Sequence, residues 1–164
     1  MTTPGTIRLH LLRHADAGDP GAWTGPDATR PLSPKGRRQA ERLGAHLVAV
    51  EFATDVILSS SRLRARETAE IVGDLLGQAV RIEDGLASGF GLEELDAMLA
   101  AAGRPARPVL VGHDPDFSEV ASIMAGAEIA LKKGALARID VDGALVAGAG
   151  RLRWLLPPDL VPAR

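Results

Sequence analysis

Short apolar runs alternate with longer segments of helical periodicity along most of this chain. Four of the runs have the length and flanking residues that are typical of buried strands. These predicted strands are Ile7–Arg13, Asp55–Ser59, Val80–Ile82 and Pro108–Gly112. Strands that alternate with helices form a mainly parallel sheet, because each helix carries the chain back across the sheet before the next strand. The pattern therefore predicts an α/β fold.

The helical segments have recognisable ends. Ser33 can cap the first helix, with Pro34 at its first position, and this helix is predicted to run to about Val50. The other three helices are predicted from Ser60 or Ser61 to about Gly77, over Leu92–Ala102 before Gly103, and from Asp114-Pro115 to about Met124. The long segment Ala15–Pro31 is rich in Gly, Pro and Asp and is expected to be a functional loop.

The C-terminal part follows a different pattern. Ala135–Val141 and Leu145–Leu155, joined at Asp142-Gly143, are predicted to form an antiparallel hairpin. Residues 1–164 are expected to form one domain. We predict a doubly wound, three-layer α/β/α sandwich whose mainly parallel sheet carries this hairpin at one edge.

Composition excludes several classes of function. The chain has no cysteine, which excludes disulfides, thiolate metal sites and cysteine nucleophiles. A net charge of −2 and an aromatic content of 3% argue against a nucleic-acid partner. Met1–Ile7 lacks the features of a signal peptide, and no apolar run is long enough to cross a membrane, so we expect a cytoplasmic protein. We expect neither a metal nor a cofactor.

Polar residues follow three of the predicted strands. Arg13 and His14 end the first strand, Ser59–Ser61 lead from the second into a helix that carries Arg64, and His113 follows the fourth. Functional residues of a doubly wound sheet lie beyond the carboxyl ends of its strands. Imidazoles and guanidiniums would therefore meet at one edge, beside the N-termini of two helices. This combination favours binding of a phosphate dianion.

The residue types also suggest a reaction. The sequence contains neither a G-x-S-x-G nucleophile elbow nor a G-x-x-x-x-G-K-[ST] phosphate loop. Imidazole is then the remaining candidate nucleophile. A neutral histidine can attack phosphorus while flanking cations bind the phosphoryl oxygens, and a second, protonated histidine can stabilise the transition state.

Three segments in this order resemble the histidine phosphatase superfamily, also called phosphoglycerate mutase-like. They are Leu11–Ala17 (LLRHADA), Ser59–Glu70 (SSSRLRARETAE) and Val109–Pro115 (VLVGHDP). The resemblance implies that His14 becomes phosphorylated and that Arg13 and Arg64 bind phosphate. It also implies that His113 completes the pocket.

Asp27–Ala40 (DATRPLSPKGRRQA) resembles the SixA-type phosphohistidine phosphatases more specifically. Larger relatives carry an acidic residue for ester substrates after the third strand, where this chain has Gly85–Gly89 without a carboxylate. A phosphohistidine needs less acid catalysis than an ester, since its imidazole can already carry a proton. The chain is also too short for a long helical lid. Both features favour a phosphorylated protein, of the histidine phosphotransfer type, as substrate.

Several residues near the predicted site have two possible roles. Asp16 and Asp114 are candidate acids or substrate contacts, and Asp114 is alternatively a helix cap. Arg30 is a further candidate contact, unless it anchors the loop to Asp27. Arg62 is expected to be solvated, and Lys132-Lys133 to form a solvated turn, with an acidic partner as the alternative. The alternative functions are a phosphatase of a small phosphate ester and a non-catalytic phosphate or phosphopeptide sensor.

Overall fold

Six strands form one sheet in a computed structural model that describes residues 5–163. The strands are β1 (Thr6–Arg13), β2 (Val56–Ser59), β3 (Val80–Ile82), β4 (Pro108–Gly112), β5 (Leu136–Asp142) and β6 (Gly150–Leu156). Their order in the sheet is β3-β2-β4-β1-β5-β6. The strands β1 to β4 are parallel to one another, whereas β5 runs antiparallel to both β1 and β6. The predicted sheet, with its antiparallel hairpin at one edge, is confirmed.

Four helices cover the two faces of the sheet. They are α1 (Pro34–Ala49), α2 (Leu63–Leu76), α3 (Leu92–Ala101) and α4 (Asp116–Ala125). Side chains of α1 and α2 share one apolar core, and side chains of α3 and α4 share the other. The predicted three-layer α/β/α arrangement is therefore confirmed.

Strand residues supply both cores by alternation. Leu9 and Leu11 of β1 enter the core with α3 and α4, whereas the next residue, Leu12, enters the core with α1 and α2. Leu110 and Val111 of β4 divide in the same way. Successive side chains of a strand point to opposite faces, so a strand that is covered on both faces must be apolar at nearly every position. This requirement explains the continuous apolar runs in the sequence.

The expected cap of the second helix was wrong. Arg62 occupies the N-cap position and makes no side-chain capping bond, so neither Ser60 nor Ser61 caps α2. The Ser60 hydroxyl instead accepts a hydrogen bond from the Arg62 backbone N–H at 3.2 Å and contacts His113. Ser60 therefore lies two residues before the N-cap position of α2, directly after the end of β2.

The expected hairpin connection and the start of the last helix also differ from the structure. Leu145–Ala149 belong to a loop, and β6 begins only at Gly150. Leu145 is buried in the core, and the Gly148 N–H donates to the Ile123 carbonyl, so this segment packs against α4 instead of pairing with β5. The last helix begins at Asp116, with Pro115 as its N-cap.

Within residues 5–163, no helix is long and apolar enough to span a membrane. The expectation about a signal peptide concerned Met1–Ile7, and Met1–Pro4 lie outside the described residues.

The start of α1 is fixed against the loop that follows β1. Ser33 caps the helix as predicted, with its hydroxyl accepting from the Gly36 N–H at 3.0 Å. The Asp16 carbonyl accepts from the Ser33 backbone N–H at 3.0 Å. Gly36 packs so closely on this loop that a Cβ at its position would lie 1.9 Å from the Asp16 carbonyl oxygen. Only glycine permits this approach, which positions α1 beside the carboxyl end of β1.

Gly36→Ala is expected to lower the free energy of unfolding by about 2 kcal/mol or more, because the added methyl group meets backbone that cannot move aside easily. The measurement is denaturant unfolding of the wild type and the variant. Gly85→Ala is the matched control, since its Cβ would lie 3.4 Å from the Met98 Cε, an ordinary contact. Equal losses in the two variants would contradict the prediction.

Candidate active site

The ends of three neighbouring strands bring the predicted site residues together. β4 lies between β1 and β2 in the sheet. The pairing continues past the strands, because the His14 N–H donates to the Gly112 carbonyl at 2.9 Å and the Ser60 N–H to the Val111 carbonyl at 2.9 Å. As a result, the His14 and His113 rings lie side by side, with 5.2 Å between their centroids.

The His14 ring is buried in a fixed orientation. Its Nδ1 lies 2.7 Å from the Ala15 carbonyl oxygen, which can only accept, so Nδ1 carries the proton of the neutral ring. Nε2 is then the unprotonated nitrogen, and it accepts a hydrogen bond from the Arg64 Nε at 3.3 Å. Burial, with the nearby charges of Arg64 and Arg13, lowers the pKa of His14 to about 3. His14 is therefore neutral at pH 7, as a nucleophile must be.

His113 lies against the second strand end. Its Nε2 is 2.8 Å from the Ser60 Oγ, and its Nδ1 is buried with no hydrogen-bond partner among residues 5–163. Burial, followed by the neighbouring His14 and Arg64, lowers the pKa of His113 to about 3. The second histidine is expected from the sequence to be protonated in the transition state; in the free protein this ring is neutral. The reason is that the ring is buried among groups that repel an additional positive charge.

Arg64 occupies the centre of the site. Besides its bond to His14, it donates from Nη1 to the Asp27 carbonyl at 2.9 Å and from Nη2 to the Asp27 carboxylate at 3.0 Å. Thr68, one turn further along α2, donates to the Arg64 carbonyl and accepts from the Ala15 N–H. The first turns of α2 are thereby attached to the loop that carries Asp27, so that the guanidinium is held next to the His14 Nε2.

Asp27 is a site residue that the sequence interpretation treated only as a loop anchor. Its carboxylate accepts from Arg64, from the Arg62 Nη1 at 3.2 Å and from the Arg30 Nε at 3.1 Å. Burial alone would raise the pKa of Asp27, but bonds and charge from Arg30 and Arg64 outweigh it and hold this pKa below its ordinary value. One carboxylate thus bridges three guanidiniums. Arg62 belongs to the site, although it was expected to be solvated.

Arg13 approaches the site from β1. Its Nη1 donates to the Leu131 carbonyl at 2.7 Å and lies 3.3 Å from the Asp114 carboxylate. The Arg13 Nε is buried and has no hydrogen-bond partner among residues 5–163. Asp114 also accepts from the backbone N–H and the hydroxyl of Ser118. Asp114 is therefore not the N-cap, which is Pro115, but it binds the first turn of α4 and forms an ion pair with Arg13.

Two further candidates hold the first loop in place. Arg30 is buried and donates to the Ala17 carbonyl at 2.8 Å in addition to Asp27, as in the loop-anchor alternative. Asp16 accepts from the Ser33 hydroxyl at 2.5 Å and from the Gly18 N–H at 3.2 Å. The Ser33 bond is the main reason why the pKa of Asp16 is below its ordinary value.

In the part of the chain that the structure describes, no group of three or more His, Asp or Glu side chains could hold a metal ion. The site consists of two neutral imidazoles, several guanidiniums and the carboxylates of Asp27 and Asp114. Such a set can place an unprotonated ring nitrogen beside cationic donors that bind an oxyanion.

Comparison with known proteins finds relatives that are similar in sequence and in fold. An uncharacterized protein of Picosynechococcus sp. is 32% identical over 172 residues, which cover 92% of this chain and 100% of the relative. The solved structure of the protein histidine phosphatase SixA complexed with tungstate superposes with a TM-score of 0.82 at 22% identity, covering 95% of this chain and 100% of that one. A putative phosphohistidine phosphatase SixA from Nakamurella multipartitia superposes with a TM-score of 0.75 at 29% identity, covering 94% and 97%.

The family expected from the three sequence segments is confirmed. The model of the histidine phosphatase superfamily (branch 1) matches residues 9–115. This range contains His14, Arg64 and His113, the residues that the three strand ends bring together. Because the match spans more than half of the chain, and the fold and the clustered histidines agree with it, the protein belongs to the histidine phosphatase superfamily.

Proposed function

We propose that the protein is a metal-independent phosphatase that forms a phosphohistidine intermediate on His14 and acts on phosphohistidine in a protein. Its family membership supports phosphatase activity. The observation that carries the mechanism is the fixed tautomer of His14, because the Ala15 carbonyl holds the proton on Nδ1. The lone pair of Nε2 is thereby left facing Arg64.

In the first step, Nε2 of His14 bonds to phosphorus as the P–N bond to the substrate breaks. The substrate ring leaves as neutral imidazole when its other nitrogen already carries a proton. In the second step, water attacks the phosphorus and the bond to Nε2 breaks. Inorganic phosphate is released, the proton lost by the water passes to solvent, and His14 returns to its neutral form.

The other residues would bind the phosphoryl oxygens. The guanidinium of Arg64, now bonded to Asp27, would exchange the carboxylate for phosphate, and Arg13 would offer its unpartnered Nε. A phosphate dianion beside His113 would favour the protonated ring and raise its pKa. His113 would therefore be neutral in the free enzyme and gain a proton with the substrate.

The contacts of the two candidate acids support the phosphohistidine substrate. Asp114 is bonded to Ser118 and Arg13, and Asp16 is bonded to Ser33, so each carboxylate already accepts bonds from groups of the protein. An alkoxide leaving group requires a proton donor, whereas imidazole does not. The likeness to structures called SixA phosphohistidine phosphatases points to the same substrate class.

His14→Ala is expected to reduce the turnover of a phosphohistidine peptide by about 10³-fold or more, since it removes the nucleophile. Rapid-quench mass spectrometry of the wild type should detect one phosphoryl group on His14. His46→Ala is the matched control, because His46 lies on α1 outside the site. Turnover that is undiminished in a folded His14→Ala protein would refute the mechanism.

The low pKa values make a prediction for the free protein. Because the pKa values of His14 and His113 are about 3, both rings should stay neutral as the pH falls from 8 to 5. Histidine ring NMR should then show no titration of either residue in this range, with His14→Ala and His113→Ala used for assignment. Saturating inorganic phosphate should raise the pKa of His113 into the observable range. A midpoint near 6.5 for His14 in the free protein would contradict the prediction.

Substrate class is tested with one peptide sequence that carries either phosphohistidine or phosphoserine. We expect kcat/KM to be at least about 10²-fold higher for phosphohistidine, because general acid catalysis of that order is what the ester would need. Both assays contain a chelator. A preference for phosphoserine or for small esters would overturn the substrate assignment. Absence of hydrolysis with retained phosphate binding would identify a sensor.

A further inference from the structure

A groove of about 700 Å³ adjoins the site at Arg13 and Asp16. One wall is formed by the exposed side chains of Lys35, Arg38 and Arg42 on α1. Lys132 and Lys133 lie on the opposite side, with Pro158 and Asp159. The groove is therefore predominantly cationic, although the chain as a whole has a net charge of −2.

The three cations of α1 form a stripe. Lys35, Arg38 and Arg42 are spaced i, i+3 and i+7, which places them on one helical face over about 10 Å. Within residues 5–163, none of the three side chains has an ion pair or a hydrogen bond. Several other exposed arginines are paired, including Arg66 with Glu70 and Arg104 with Asp96. The cations of the stripe are thus available to an anion from outside the chain.

This stripe opposes the local stability of the helix. The first turn of α1 contains no acidic residue, although it includes Lys35. Positive charges near a helix N-terminus are unfavourable, and like charges three or four residues apart repel each other. Such a departure from local preference indicates a functional constraint when no compensating contact is present.

Carboxylates neutralise the lysines of the opposite wall only weakly. The Lys132 Nζ lies 3.8 Å from the Asp159 carboxylate, and the Lys133 Nζ lies 3.9 Å from the Asp16 carboxylate. Both are long separations, and Lys132 is exposed while Lys133 is partly exposed, so both amines can turn toward another anion at little cost. Five flexible cations then face two carboxylates across an open groove.

We propose that this groove binds an acidic segment of the phosphorylated protein substrate while the phosphoryl group occupies the neighbouring site. The inference rests on the proposed function. Several separate carboxylates would match cations that are spread over about 10 Å on α1 and across the groove. A nucleotide would gain less binding free energy, because within residues 5–163 no aromatic side chain lines the groove to stack against a base.

The test uses a fluorescent peptide that contains six glutamates and the same peptide with six glutamines, neither of them phosphorylated. The variant is Arg38→Gln/Arg42→Gln. Arg81→Gln/Arg153→Gln is the control for loss of charge. It also removes two exposed arginines, on β3 and β6, of which Arg153 lies 3.7 Å from the Asp140 carboxylate. Fluorescence anisotropy at low salt gives the affinities without requiring turnover, so this binding result does not depend on whether the proposed function is correct.

We expect the wild type and the control to bind the glutamate peptide, and the Arg38→Gln/Arg42→Gln variant to bind it about tenfold more weakly. The glutamine peptide should bind poorly to all three proteins. With a phosphohistidine added to each peptide, the wild type should favour the acidic one in kcat/KM. The Arg38→Gln/Arg42→Gln variant should lose that preference, with an unchanged rate on p-nitrophenyl phosphate.

Equal binding of the two peptides, or equal affinity in the variant and the wild type, would overturn the proposal. Tighter binding of ATP than of the glutamate peptide, lost in the same variant, would also overturn it and assign the groove to a polyphosphate. Failure of the proposed function gives a different result, in which the glutamate peptide binds but neither phosphohistidine peptide is hydrolysed.

Discussion

A buried guanidinium requires a negative partner, and Asp27 supplies one for Arg64. The Arg64 side chain is 6% exposed, and an unpaired charge at that depth would be strongly destabilising. The need for this partner explains why the segment between β1 and α1 folds across the strand ends. Carboxylate and phosphate offer similar acceptors to a guanidinium. A substrate phosphate would thus replace the Asp27 carboxylate in a site that is already arranged to bind an anion.

Burial beside the same cluster of positive charges controls the protonation of both histidines. His14 must be neutral to attack phosphorus, whereas His113 is useful in the transition state when it is protonated. Burial and nearby guanidiniums lower both pKa values to about 3, which meets the first requirement but not the second. A bound phosphate dianion would supply the negative charge that raises the pKa of His113. One electrostatic environment can therefore keep His14 neutral before substrate binds and allow His113 to become protonated after it binds.

The sequence was sufficient to predict the features that depend on local pattern. Continuous apolar runs fixed the parallel strands, and the polar residues at the ends of those strands located His14, Arg64 and His113. Asp27 was underestimated, because its role depends on Arg62 and Arg64, which lie 35 and 37 residues away and come close only through tertiary folding. Leu145–Ala149 were misassigned for a related reason. Leu145 is buried in the core, a long-range contact that alternation along the chain cannot distinguish from strand pairing.

Burial also explains why the cation Arg64 in the active site is paired within the chain, whereas Arg38 and Arg42 in the groove are not. In the pocket, water cannot solvate Arg64, so its charge is paired within the chain even before substrate binds. On the exposed face of α1, water solvates Arg38 and Arg42, which can remain without a partner at small energetic cost. Unpaired cations that attract a partner over a distance are therefore tolerated only at the surface. On this basis the pocket would select the phosphoryl group, and the surface groove would select the protein that carries it.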